Sequence, residues 1–269
     1  MHRTLRALVA ALATLAAAPT WATPPELRIG LAVDNPPWAY APERLPQLLA
    51  GETAMPAITP AQLRSLAGFE IDVAALLCRQ MGVTPRFVPT DWAALEQQLL
   101  EGRFDVILSA WTPSRRTPPD VVASEPYATW GLVVTVRADS KVGGYADLAR
   151  AAVVGHYSDP AVERTLRSLG LAQTRSYDSE GTLFRDLKLG VLDAVVHDST
   201  YARWRVKADP SLRIAGEPLN RMGYHVGVRR QDAELLAKVQ AALKQIGPQV
   251  EGLRATWETA RRPPEAPVR

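Results

Sequence analysis

One cysteine, Cys78, occurs in 269 residues. A single thiol excludes an internal disulfide and a thiolate metal cluster. Cys78 lies inside an apolar helical pattern, which makes it a core residue and leaves no cysteine for a lipid near the N-terminus. Charge of one sign is also scarce: 31 Lys and Arg face 28 Asp and Glu, a formal +3. No concentrated basic stripe stands out, which excludes an ordinary nucleic-acid binder. The longest apolar stretch, Ala7–Ala18, falls short of the about twenty residues a bilayer span requires. There is no Gly-x-Ser-x-Gly elbow, no His-Glu-x-x-His and no phosphate-binding loop, so nothing demands catalysis or a cofactor. His156 and His197 are not at metal-ligand spacing, and no metal site is expected.

What is present is ordinary globular composition, with 47% hydrophobic and 22% charged residues, enough for one or two domains of about 100–150 residues. Arg3 and Arg6 precede the Ala- and Leu-rich run, and Pro19-Thr20-Trp21-Ala22 follows. This is the three-part pattern of a secretory signal peptide cut after Ala22. Its removal takes away two arginines and no acid, leaving 29 basic against 28 acidic groups, a net +1. Electrostatics then gives no reason to expect DNA or anionic lipid as partner. An exported chain with neither disulfide nor lipid anchor suits a soluble protein of a Gram-negative periplasm, and a monomer is expected.

Strand and helix patterns alternate along the mature chain. Leu27–Val33 alternates as a strand and stops at Asp34-Asn35-Pro36-Pro37. Thr59-Pro60 reads as N-cap and first residue of a short helix. Gly68–Cys78 is amphipathic and closes at Gly82. Further helices are expected at Trp92–Leu100, Pro160–Leu169, Gly181–Leu189, Asp232–Ile246 and Gln249–Ala260. Phe104–Ser109 and Leu192–Val196 are nearly continuous apolar runs, as buried parallel strands are. The expected class is α/β with parallel sheets. Two similar units recur, each a helix, a glycine (Gly102 or Gly190), then Asp105 or Asp193 opening a buried strand. Ligands in such sheets sit at the carboxyl ends of strands, so two units suggest two lobes facing one cleft.

These residues resemble a known family. LRIGLAVDNPPWAY (27–40), GFEIDVAALLCRQMGV (68–83), FVPTDWAALEQQLLEGRFDVILSAWT (87–112), SEPYATWGLVVTVRADS (124–140), YDSEGTLFRDLKLGVLDAVVHDST (177–200) and GYHVGVRRQDAELLAKVQAAL (223–243) occur in the order and spacing of the bacterial extracellular solute-binding proteins of family 3, the polar amino-acid type that feeds ABC transporters. The resemblance implies a type II periplasmic binding protein: two lobes, each a sheet flanked by helices, joined by two strands crossing near Gly131–Val136 and Met222–Gly227. Lobe 1 would span 23–132 plus 224–269, with an insertion at 41–67 and a disordered tail at 261–269. Lobe 2 would span 133–223. The implied partners are a small polar solute, an amino acid or similar compound, and the membrane permease of an ABC transporter.

A zwitterion in a dry cleft needs a cation and N–H donors for its carboxylate, an anion for its ammonium and a surface for its carbons. The family resemblance implies that Asp198 binds the α-ammonium; its alternative is a helix cap near Thr200. Asp193 is structural. Trp92 either covers the ligand or packs in the core. Asn35, Trp38 and Trp111 are further candidates, and with Trp130 four tryptophans approach one mouth, which would favour a flat or cationic ligand. The resemblance places the carboxylate clamp on Ser109-Ala110-Trp111-Thr112-Pro113-Ser114-Arg115-Arg116, and implies Arg115 or Arg116 as the cation with Ser109 and Thr112 as hydroxyl donors. In the second lobe Ser158 offers a hydroxyl, while Asp159 would repel a carboxylate. The 41–67 insertion is by default a surface feature. Two alternative functions use the same scaffold: a cyclohexadienyl-type dehydratase with Glu125 or Asp159 as general acid, and a protein that presents its ligand to a receptor.

Overall fold

The computed structural model describes residues 25–51, 56–148, 153–171 and 174–259. The expected signal segment at 1–22 and tail at 261–269 lie outside the described residues. The chain enters on β1 (Glu26–Leu31), then α1 (Leu45–Ala50) and α2 (Pro60–Arg64). Thr59 caps α2 as its sequence implies. Its hydroxyl accepts the Gln62 N–H at 3.2 Å, and the Gln62 side chain accepts the Thr59 N–H at 3.0 Å, a reciprocal capping box. There follow α3 (Phe69–Met81), β2 (Thr84–Pro89), α4 (Leu95–Leu100), β3 (Val106–Ile107) and β4 (Val121–Ala123). The chain then passes through β5 (Ala128–Trp130) into β6 (Leu132–Arg137), α5 (Tyr145–Leu148), β7 (Val154–Tyr157), α6 (Pro160–Ser168) and β8 (Thr174–Tyr177). It continues through α7 (Glu180–Lys188), β9 (Ala194–Asp198), α8 (Ser199–Ala208) and β10 (Leu212–Ala215), and returns by β11 (Met222–Tyr224) to β12 (Gly227–Arg229) and α9 (Ala233–Thr259).

Two five-stranded sheets result, ordered β2-β1-β3-β12-β4 and β10-β6-β9-β7-β8. Read from the other edge, the second repeats the first. In each, the first strand of the half lies between the second and the third, and all three run parallel. The expectation of purely parallel sheets is corrected. β12 runs antiparallel to β3 and β4, and β6 antiparallel to β9 and β10. The reason is topological, because β6 and β12 are the strands on which the chain arrives from the opposite half and so enter from the other end. The crossing itself is the antiparallel ladder of β5 with β11. Its first strand precedes the expected Gly131–Val136, which is largely β6.

The two recurring glycine turns do the same job. Gly102 and Gly190 take left-handed φ values of 74° and 78°, a conformation glycine adopts without steric cost. The following aspartates then reach the neighbouring strand: Asp105 accepts the Arg28 N–H at 2.9 Å and Asp193 the Val153 N–H at 2.8 Å. Cys78 is free and buried. One apolar cluster runs from Leu27, Ile29 and Val106 through Trp38 and Tyr224 to Leu183, Phe184 and Tyr201, and so spans both halves. Two expected C-terminal helices are one: α9 runs through Pro248. Burial explains it, since Val239, Ala242, Ile246, Val250 and Trp257 are all buried on both sides of the proline, and packing outweighs one lost helical hydrogen bond.

The 41–67 segment is not a mere surface insertion. Leu45, Leu48 and Leu49 of α1 pack against the apolar cluster that holds Leu183 and Phe184 of α7. Gly51 follows α1 with φ 87° and lies so close to Gly181 that a Cβ on Gly181 would stand 2.4 Å from the Gly51 Cα. The segment therefore straps the first half onto the second.

Candidate functional site

A cavity of about 1340 Å³ opens between the sheets. Its walls are the chain segments leaving the carboxyl ends of the parallel strands: Ala32–Asn35 after β1, Pro89–Trp92 after β2, Ala110–Arg116 after β3, Ser158–Asp159 after β7, Asp178–Gly181 after β8, and Asp198 ending β9. Such crevices are the ligand sites of open α/β sheets. Leu48 and Ile58 of the strap close one side. Among the described residues, seven carboxylates and three arginines line the space. No group of three or more His, Cys, Asp or Glu among them could hold a metal ion.

Asp198 is the floor. The expected helix cap is real: one carboxylate oxygen accepts the backbone N–H groups of Thr200 at 2.6 Å and Tyr201 at 3.4 Å. The other oxygen accepts the Tyr224 hydroxyl from the crossing ladder. The Thr200 side chain adds to these donors, and no cation pairs with the carboxylate among the described residues where Asp198 lines the cavity. Burial pushes its pKa up to about 6, against these donors that pull it down. Cap and cavity wall are compatible roles of one side chain.

The aromatics sort differently from their sequence positions. Trp92 is 43% exposed at the cavity rim, which rules out the core reading. Trp38 is buried and stacks on Tyr201 at 5.9 Å and 19°, joining the halves across the cavity. Trp111 is also buried and donates its indole N–H to Glu96 at 3.0 Å; it borders the cavity as a packed wall. Trp130 stacks on Tyr224 at 5.6 Å. Asn35 lines the cavity, and its backbone is tied to Ala39 at 2.9 Å.

The clamp loop is only partly available. Ser109 does not line the cavity. Its hydroxyl accepts the Ala32 N–H at 2.9 Å, joining the ends of β1 and β3. Thr112 lines the cavity, but its hydroxyl donates to the Gly223 carbonyl at 2.8 Å and accepts the Trp130 indole at 3.2 Å. Arg115 and Arg116 are both exposed and both line the cavity. Their turn is fixed by Ser114, whose hydroxyl accepts the Arg116 N–H at 3.1 Å, and by Thr117, whose hydroxyl donates to Glu96 at 2.7 Å. Ser158 and Asp159 face the space at the end of β7. Glu125 is exposed and lies outside the lining, so it is not placed to act on anything bound there. His156 is buried with its ring on the Tyr157 carbonyl at 2.8 Å.

Sequence reasoning missed Glu180, His197, Tyr157 and Tyr201 as lining residues. Glu180 and His197 form a pair, Oε1 to Nε2 at 3.7 Å. Burial drives His197 down to about 3 and pushes Glu180 up to about 8, the latter reinforced by the Asp198 charge. The available signal was position alone, since each follows or ends a parallel strand.

Comparison with known proteins agrees with this geometry. The family model described as bacterial extracellular solute-binding proteins, family 3, matches residues 50–257. The L-cystine-binding protein TcyJ of Escherichia coli (strain K12) is 28% identical over 184 residues, 67% of this chain and 69% of that protein. The L-arginine-binding protein of Pseudomonas aeruginosa is 28% identical over 250 residues, 88% of this chain and 89% of that protein. A solved mutant of the arginine-binding protein of T. maritima superposes with a TM-score of 0.68 at 26% identity, covering 87% of this chain and 96% of that one.

Proposed function

Because this chain belongs to the bacterial extracellular solute-binding proteins of family 3, we propose that its cleft captures an α-amino acid or a close analogue and hands it to the permease of an ABC transporter. The observation that carries this reading is Asp198, a carboxylate at the cleft floor whose partners among the described residues are hydroxyl and N–H donors and no cation. A ligand ammonium completes it. Arg115 or Arg116, both on the opposite wall, meets the ligand carboxylate, with Ser158 as an added hydroxyl and Asn35, Trp38 and Trp92 against the carbon skeleton. Two lobes follow on this reading, 23–132 with 224–269 and 133–223, a division supported by the two sheets and the β5–β11 ladder between them. The protein acts as a monomer in the periplasm after loss of residues 1–22. Of the two candidate acids of the dehydratase reading, Glu125 stands away from the cleft and Asp159 lines it, and the relatives that match are binding proteins.

Isothermal titration of the mature protein with the common amino acids tests the reading. Asp198→Asn keeps an oxygen to cap α8 but removes the charge. It should lower affinity by about 100-fold or more, the scale of an ammonium left without its partner, with the melting temperature little changed. Undiminished affinity in that variant would sink the assignment.

A further inference from the structure

A second carboxylate waits in the same cleft. Glu180 opens α7, where an acidic residue is ordinarily a solvated contribution to the helix N-terminus. Here its side chain is only 18% exposed and lines the cavity. Among the described residues it accepts no hydrogen bond, and its nearest polar neighbour is His197 at 3.7 Å, beyond hydrogen-bond reach. His197 is itself 5% exposed, and neither ring nitrogen completes a hydrogen bond. The buried cation of this half, Arg205, is laid over the Phe184 ring at 5.3 Å, with its Nε unpartnered, and forms no ion pair with Glu180. The Tyr157 ring stands 6.3 Å from that of His197 and lines the cavity as a flat, electron-rich wall, while Tyr201, 4.6 Å from His197, is packed between its neighbours.

We propose that Glu180 is a specificity-determining residue: it receives a second positive group of the bound amino acid, an ammonium or guanidinium distal to the one held by Asp198. The inference rests on the amino-acid reading above and narrows it to solutes carrying two cationic groups. A carboxylate shielded from water without a direct counter-charge is unfavourable in the empty protein. Burial and the Asp198 charge accordingly hold Glu180 high, at about 8, while Arg205 only partly offsets them. A ligand cation between Glu180 and the Tyr157 ring removes that penalty, and a neutral isostere does not. The acid-rich lining, with Asp178 beside Glu180, adds to the same preference. Two kinds of solute supply this chemistry: basic amino acids such as arginine, and cystine, with its second α-ammonium.

Calorimetric titration of the mature protein and of Glu180→Gln separates them. One arm compares arginine with citrulline, its uncharged isostere. The other compares cystine with S-methylcysteine, which has one ammonium. The wild-type protein should prefer the doubly cationic member of one pair by at least about tenfold, the scale set by burying an unpaired charge. Glu180→Gln should bring that pair to within about twofold by weakening only the doubly cationic member, and Glu180→Asp should restore part of the preference. Circular dichroism and melting temperature confirm that the variants fold. Wild-type protein that binds these solutes without preference overturns the subsite and leaves the amino-acid reading standing, as does an equal loss for both members of a pair in Glu180→Gln. Protein that binds none of the four overturns both.

Discussion

Glu70 shows what burial does to a single side chain. It lies wholly inside α3, accepting the Tyr127 hydroxyl at 2.7 Å. Burial raises its pKa from 4.5 to about 7, against the pull of that hydroxyl. The folded state thus binds the carboxyl proton more tightly than the unfolded chain. The resulting stabilisation is complete below pH 4.5 and disappears as pH rises through about 7. The Glu70 contribution to stability should therefore fall by roughly 3 kcal/mol between pH 5 and 8, read as the difference between the denaturant-unfolding profiles of wild type and Glu70→Gln, because Asp198, Glu180 and His197 also titrate over this range and are common to both. A variant profile as steep as wild type would assign the slope elsewhere. At this scale the sequence spoke unevenly. The family resemblance pointed to Asp198 and Trp92, and both line the cavity. Ser109 came from the same resemblance but stands outside the lining, its hydroxyl accepting the Ala32 N–H at the neighbouring strand end. Glu180 was invisible, since an acid opening an amphipathic helix is commonplace and only the distant His197 marks it as buried.

Among the elements, those with end signals were easiest to read. The Thr59 cap, the left-handed Gly82 closing α3 with φ 68° and the two glycine turns all behave as written. Short edge strands such as β4, β5 and β10 had no such marks, because three or four residues show no period. The proline-interrupted α9 was read as two helices because the local penalty was visible and the tertiary burial was not. That penalty should still be present in the folded chain. Pro248 removes an N–H and crowds the preceding turn, at about 3 kcal/mol in an ordinary helix interior. Pro248→Ala should raise stability by about 1–3 kcal/mol, seen as a higher melting temperature. An unchanged or lower value would mean that the neighbouring helices have shaped themselves to the bend.

Across the molecule, the two halves are near-copies in topology that exchange one strand each. Between them runs an aromatic seam: Phe69 meets Tyr127, Tyr127 meets Tyr224, and Tyr224 meets Trp130. Its polar ends are Glu70 in one half and Asp198 in the other. The two-lobe plan was legible because the helix–glycine–strand unit occurs twice. The strap was not, because neither Gly51 nor Gly181 carries a signal of its partner. It can be tested across the whole protein. A methyl added at Gly181 would sit 2.4 Å from the Gly51 backbone, too near to tolerate, while α7 itself accepts alanine readily. Gly181→Ala should therefore loosen the strap without harming the helix. Stopped-flow release of bound solute should become several-fold faster, with the entry rate little altered.

The contact of Gly51 with Gly181 thus bears on timing. Two bare backbones meet there, with the Thr182 hydroxyl alongside. If that contact latches the halves, a captured molecule departs at the tempo of its unfastening, and a membrane protein that pries it open decides when the cargo is let go.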